Sequence, residues 1–199
     1  PTPLPLPLLK GKIVFYSQHP EQPGLWVMDP DGSNRHFYSD SPLVKQQFES
    51  MFDQYRISPD GRYRAYVTQG PNDTSPQIYI QGEVNQYGIA PTWKVTKGFT
   101  KVCYDPMWSP DGVKLVFVSE EDGSDDIWVI NIDGSNPINL TPNLWEWDKH
   151  PSWSPDGRHI IFWSNRTGIK NIYIMDNDGR NVRNLSNTAW DEWRPLWIR

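Results

Sequence analysis

Cysteine is nearly absent from this 199-residue chain. Cys103 stands alone, so no disulfide can form within the chain. Its neighbours Val102 and Tyr104 suit a structural, half-buried thiol rather than a nucleophile. An excess of positive charge is also lacking. With 19 Lys and Arg against 24 Asp and Glu, the net charge is −5 and no basic stripe is evident, which argues against a nucleic-acid partner. No apolar run is long enough for a membrane span, and no intact signal peptide is present. Gly-x-Ser-x-Gly, His-Glu-x-x-His and phosphate-loop motifs are all missing, which leaves little support for catalysis. No segment carries a convincing helical period of useful length, so the expected class is all-β.

What is present is a repeat. Trp-Ser-Pro-Asp-Gly occurs at Trp108–Gly112 and at Trp153–Gly157. A degraded copy lies at Ile57–Gly61, and a truncated one at Arg194–Ile198. The anchors at 57, 108, 153 and 197 are 51, 45 and 44 residues apart, a period that suits a four-stranded propeller blade. Between anchors the chain reads strand, turn, strand, loop, strand, turn, strand. In the last full unit His159–Ser164, Asn171–Met175 and Val182–Leu185 are rich in β-branched and aromatic residues, and Asp176-Asn177-Asp178-Gly179 marks a turn. Pro presets a turn's backbone angle, Asp bonds local amides and Gly accepts positive φ. The Asp-x-Asp-Gly turns lack the downstream Glu of a calcium loop and are read as hairpin turns; neither metal nor cofactor is expected.

The pattern Pro-x-Trp-Ser-Pro-Asp-Gly, then Phe-x-Ser, Ile-Trp-Val, Gly-Ser-Asn and Asn-Leu-Thr runs through Pro106–Gly112, Phe117–Ser119, Ile127–Val129, Gly134–Asn136 and Asn139–Thr141. It resembles the TolB-type β-propeller repeat, a branch of the WD-like propellers, over about residues 10–199. The resemblance implies a bacterial, extracytoplasmic protein. The chain enters on a blade's second strand and leaves on a first strand. We therefore expect four antiparallel blades, at 10–40 completed by 191–199, then 50–100, 102–143 and 146–187. The C-terminal strand closes the first blade and removes two open edges. The alternative is half of a larger propeller, completed by a homodimer. Residues 1–9, rich in Pro and Leu, read as an extended linker or as an arm docked on the domain, and the chain as a piece processed from something longer.

Repeat proteins hold specificity where units differ. Counting back three residues from each anchor gives Gln54, Asp105, His150 and Arg194, expected as a polar ring about the axis. The next level holds Asp53, Tyr104, Lys149 and Trp193, and the one before it Phe52, Cys103, Asp148 and Glu192. Of 11 Trp residues, those at repeat-equivalent positions are read as packing; Trp145, Trp147, Trp190 and Trp193 lie in loops and are expected to rim the funnel. Two functional readings stay open: a non-catalytic scaffold that binds a protein partner through this rim, and a sensor that binds a small polar ligand or glycan there. A hydrolase or lyase acting through Asp148, Glu192 or His150 is a third, weaker reading. The ring residues could equally satisfy one another and fill the channel.

Overall fold

The computed structural model describes residues 5–143 and 145–199. In chain order the strands are β1 (Ile13–Ser17), β2 (Gly24–Met28) and β3 (His36–Ser39), followed by helix α1 (Pro42–Tyr55). Next come β4 (Tyr63–Thr68), β5 (Gln77–Gly82) and β6 (Thr92–Lys94), then β7 (Cys103–Trp108), β8 (Lys114–Ser119), β9 (Asp126–Asn131) and β10 (Ile138–Asn139). The last group is β11 (Asp148–Trp153), β12 (His159–Ser164), β13 (Asn171–Asp176), β14 (Arg183–Asn184) and β15 (Glu192–Trp197). They form four antiparallel meanders, the blades of a propeller, and β15 lies beside β1 at the edge of the first. Closure by the C-terminal strand is therefore present, with Ile13 opposite Trp197 and Val14 opposite Leu196.

The second blade differs from expectation. It has three strands, β4 to β6, because the segment expected as its first strand is α1. The helix has a legible cause. Val44, Phe48, Met51, Phe52 and Tyr55 recur at helical spacing, Ser41-Pro42 opens the segment, and Phe48, Met51, Phe52 and Tyr55 are buried. That period is present in the sequence, within a segment that the repeat spacing assigns to a strand. Only Ile57 still bridges to Arg64 where a whole strand would pair.

Each Ser-Pro-Asp-Gly turn is tied by its own side chains. Ser109 Oγ donates to Asp111 at 2.5 Å and accepts from Lys114 N at 3.0 Å, and the turns at Ser58 and Ser154 repeat the arrangement. Blades then meet through glycine. A Cβ on Gly134 would lie 2.7 Å from Val95 O, and one on Gly179 2.9 Å from Leu140 O, so each Asp-Gly turn sits directly on the backbone of the preceding blade.

The apolar interior forms three clusters. One joins β1 and β2, α1 and the facing sides of the third and fourth blades; the second lies between the first and fourth blades; the third joins the second and third. Helix α1 docks against the end of the first blade's closing strand. Tyr55 Oη donates to Trp197 O at 3.1 Å and accepts from Arg199 N at 2.9 Å, and Arg199 reaches Trp108 O. Within the expected linker, Leu6–Leu9 is a 3-10 turn whose Leu6 and Leu9 are buried in the same cluster as Met51 and Tyr55, so this stretch is docked; residues 1–4 lie outside the described residues.

Candidate functional site

The sequence places Asp105, His150 and Arg194 each before a proline, at the same step of β7, β11 and β15. All three have positive φ, at 51°, 52° and 55°. Side-chain residues rarely adopt this conformation, which costs of order 1 kcal/mol or more and is held only by its surroundings. At each site two residues stand opposite one: Asp105 and Pro106 opposite Phe117, His150 and Pro151 opposite Phe162, Arg194 and Pro195 opposite Phe15. Such a bulge re-aims a side chain. Here it turns three different polar groups toward one axial space, lined also by Phe52, Arg56 and Met107.

His150 Nε2 lies 3.5 Å from Asp105 Oδ2, and His150 Nδ1 accepts from Trp163 Nε1 at 2.9 Å. The indole can only donate, so Nδ1 is bare and the ring proton sits on Nε2, facing the carboxylate. Burial depresses the His150 pKa, with Asp105 pulling the other way, so the ring stays neutral at pH 7. Arg194 pairs with Glu49 at 2.7 Å and lies over the Phe52 ring at 4.6 Å. Glu49 also accepts from Tyr16 Oη at 2.9 Å, and burial raises the Tyr16 pKa further above its ordinary value. Arg56 approaches Asp105 at 3.8 Å. Gln54 is not part of this group. It lies on α1, exposed, beside Met51, Tyr55 and Ile57, because the strand that would have carried it inward is a helix. The helix supplies Glu49 and Phe52 instead, and its C-cap supplies Arg56. The space remaining at the axis is about 10 Å³ for the centre of a water, room for one molecule.

Asp148 and Glu192 are fully buried and lie apart from the axis, each in its own blade. Asp148 accepts two bonds from Arg166, at 3.0 and 3.1 Å, and one from Asn143 at 2.9 Å, while burial raises its pKa. Glu192 pairs with Arg35 and accepts from Ser17 Oγ at 3.0 Å. Cys103, at the equivalent step, donates toward Ser119 Oγ at 3.4 Å, and burial pushes its thiol up to about 11. All three therefore belong to a structural knot with the serine of Phe-x-Ser, and the guanidinium partners Arg35 and Arg166 carried no repeat signal. Asp53 is exposed and pairs with Arg56.

Of the four tryptophans expected in loops, Trp193 instead lies in β15, opposite Tyr16, because the closing strand starts at Glu192, and the four divide into two kinds. Trp193 stacks on Tyr16 at 5.5 Å, and Trp190 donates to Ser17 Oγ at 3.0 Å with His19 against its ring. Trp145 and Trp147 remain exposed, at 84% and 49%. Their loop is nonetheless fixed. Asn143 Oδ1 accepts from Trp145 N and Glu146 N, and Asn165 Oδ1 accepts from Trp147 N at 2.7 Å. Lys149 pairs with Asp125 at 2.9 Å and lies 5.1 Å over the Trp147 ring. Leu144, between these residues, lies outside the described residues.

Comparison with known proteins agrees with this architecture. A TolB homolog from Chlorobaculum tepidum is 36% identical over 132 residues, covering 65% of this chain and 26% of its own length. A putative TolB from Agrobacterium tumefaciens is 22% identical with a TM-score of 0.55, over 87% of this chain and 60% of that one. A puromycin-hydrolyzing peptidase from Mycobacterium tuberculosis shares the fold at 14% identity and a TM-score of 0.53, over 82% of this chain and 26% of that one. The chain thus spans a quarter to three fifths of these relatives. A family model described as the TolB beta propeller domain matches residues 8–198, and the chain belongs to that family.

Proposed function

We propose that this propeller is a non-catalytic scaffold, in an extracytoplasmic setting, that holds a protein partner on its loop rim. One observation carries the reading: Trp145 and Trp147 stay exposed on a loop whose backbone is anchored by Asn143 and Asn165. Large apolar rings held rigidly in water are characteristic anchors of protein interfaces, since little conformational entropy is lost when they are covered. The axial space favours a surface contact over a ligand held at the centre, because it admits only about one water. The buried ion pairs of Asp148 and Glu192 favour scaffolding over acid–base chemistry by those carboxylates.

The test is affinity capture from an extract of the source cells with the wild-type chain and with Trp147→Ala and Trp193→Ala variants. A protein retained by the wild type and lost from Trp147→Ala is expected. Trp193 contributes less, being stacked on Tyr16. Retention unchanged in both variants overturns the reading for this face.

A further inference from the structure

Two loops share the surface around Trp145. Ser124 Oγ donates to Asn143 O at 3.1 Å, and Asp148 N donates to Asp125 O at 2.8 Å, so the loop after β8 lies against the loop before β11. The first brings Glu120 and Asp122, both exposed, and the second brings half-buried Glu146. Among the described residues none of these three carboxylates has an ion-pair partner, although Asp122 accepts a bond from Asn139 Nδ2 at 2.8 Å. Of the cations near these loops, exposed Lys101 acts on Glu121, and the others are paired. Lys149 is held by Asp125, Arg166 by Asp148 and Lys170 by Asp191. Glu121 accepts from the amides of Thr100 and Lys101. The two adjoining loops thus present an exposed indole and three carboxylates that form no ion pair among the described residues.

The same loop already shows how an indole is used here, since the Lys149 ammonium lies over Trp147. No ring or cation lies on Trp145 among the described residues. A cation over an aromatic face is attracted by the ring's electron density, and flanking carboxylates strengthen its placement.

Deepening the rim reading above, we infer that the Trp145 loop binds an arginine- or lysine-bearing segment of a protein partner, with the cationic side chain over the Trp145 ring and its charge met by Glu120, Asp122 and Glu146. Charge complementarity selects this occupant: an acidic segment meets three like charges, and a neutral one leaves them unanswered.

The experiment titrates the 199-residue chain, by calorimetry, with three short peptides alike except at alternate positions. Those positions hold arginine, its neutral isostere citrulline, or glutamate. The arginine peptide should bind at least about tenfold more tightly than either of the others. It should lose about tenfold in Trp145→Ala and in a combined Glu120→Gln, Asp122→Asn, Glu146→Gln variant, and should weaken as salt rises from about 0.05 to 0.5 M. These side chains lie at the surface, so thermal midpoints should match the wild type and separate lost binding from lost folding. Equal binding of the arginine and citrulline peptides overturns the charge assignment, and arginine-peptide binding unaffected by Trp145→Ala overturns the site. Partner capture that depends on Trp147 with no preference for the basic peptide sinks this inference while leaving the rim reading standing. Capture indifferent to Trp147 and Trp193 sinks the rim reading itself.

Discussion

At Gly179 the backbone has a φ of 85°, and an added Cβ would lie 2.9 Å from Leu140 O. Gly168 has a φ of 86° with nothing within 4 Å. The two positions separate backbone strain from steric contact. Gly168→Ala should cost about 1 kcal/mol and Gly179→Ala about 2–3 kcal/mol, because only the latter also forces two blades apart. Urea unfolding of both variants checks this; equal losses would show that the blade contact relaxes freely. The same scale explains how the polar axial residues could be picked out from the repeat. Asp105, His150 and Arg194 occupy one step of a repeating strand, so a single bulge geometry turns all three inward. Gln54 lies elsewhere because the chain before Ile57 is helical, so the bulged strand that would turn it inward does not form.

Between β9 and β11 a polar network links adjacent blades. Asn143 Nδ2 donates to Asp126 at 3.1 Å and to Asp148 at 2.9 Å, while Asn139 Nδ2 donates to Asp126 at 2.9 Å. Burial, with a smaller contribution from Asp148, raises the Asp126 pKa to about 6 from 3.8. A raised carboxyl pKa means that the folded state holds its proton longer than the unfolded chain. Stability is then unaffected below about pH 4 and falls as pH rises from about 4 to about 6, by on the order of 1 kcal/mol after solvent screening. Asp126→Asn should flatten this limb, seen as a smaller difference in urea midpoint between pH 4 and pH 7 than in the wild type. An unchanged difference places the proton elsewhere. For α1, Phe48 is fully buried in the central cluster, with edge contacts to Tyr16 and Phe52. Phe48→Ala should cost about 3–5 kcal/mol, measured by denaturant unfolding. A loss below about 1 kcal/mol would mean that the helix is peripheral to the fold.

The ring closes through β15, which pairs with β1 and packs against β11 and β12. A chain ending at Asp191 exposes the edge of β1 and removes Leu196, Trp197 and Ile198 from buried positions. Cooperative thermal unfolding should be lost in that truncation, as read by calorimetry and tryptophan fluorescence. Leu196→Ala keeps the strand and should cost about 2–4 kcal/mol while leaving unfolding cooperative. If the truncated chain melts as sharply as the full one, closure does not hold the ring together. At this scale the difference from expectation is that α1 stands where the second blade's first strand was expected and packs, with the Leu6–Leu9 turn, into the central cluster.

The sequence alone determined the all-β class, the blade period, the turn chemistry and the closing strand. Each of these is local or periodic: a turn needs its Pro, Asp and Gly within four residues, and a period is read by counting. Tertiary structure decided which polar residues share a space, since Asp148 and Glu192 found Arg166 and Arg35 far along the chain and were locked into separate blades. It also decided which of the four tryptophans ahead of the last two anchors remain in water. Trp190 and Trp193 found Ser17 and Tyr16, whereas Trp145 stays open to water and Trp147 is exposed with Lys149 over its ring. Spacing shows only that all four lie shortly before an anchor; packing against residues from other strands decides which of them are covered.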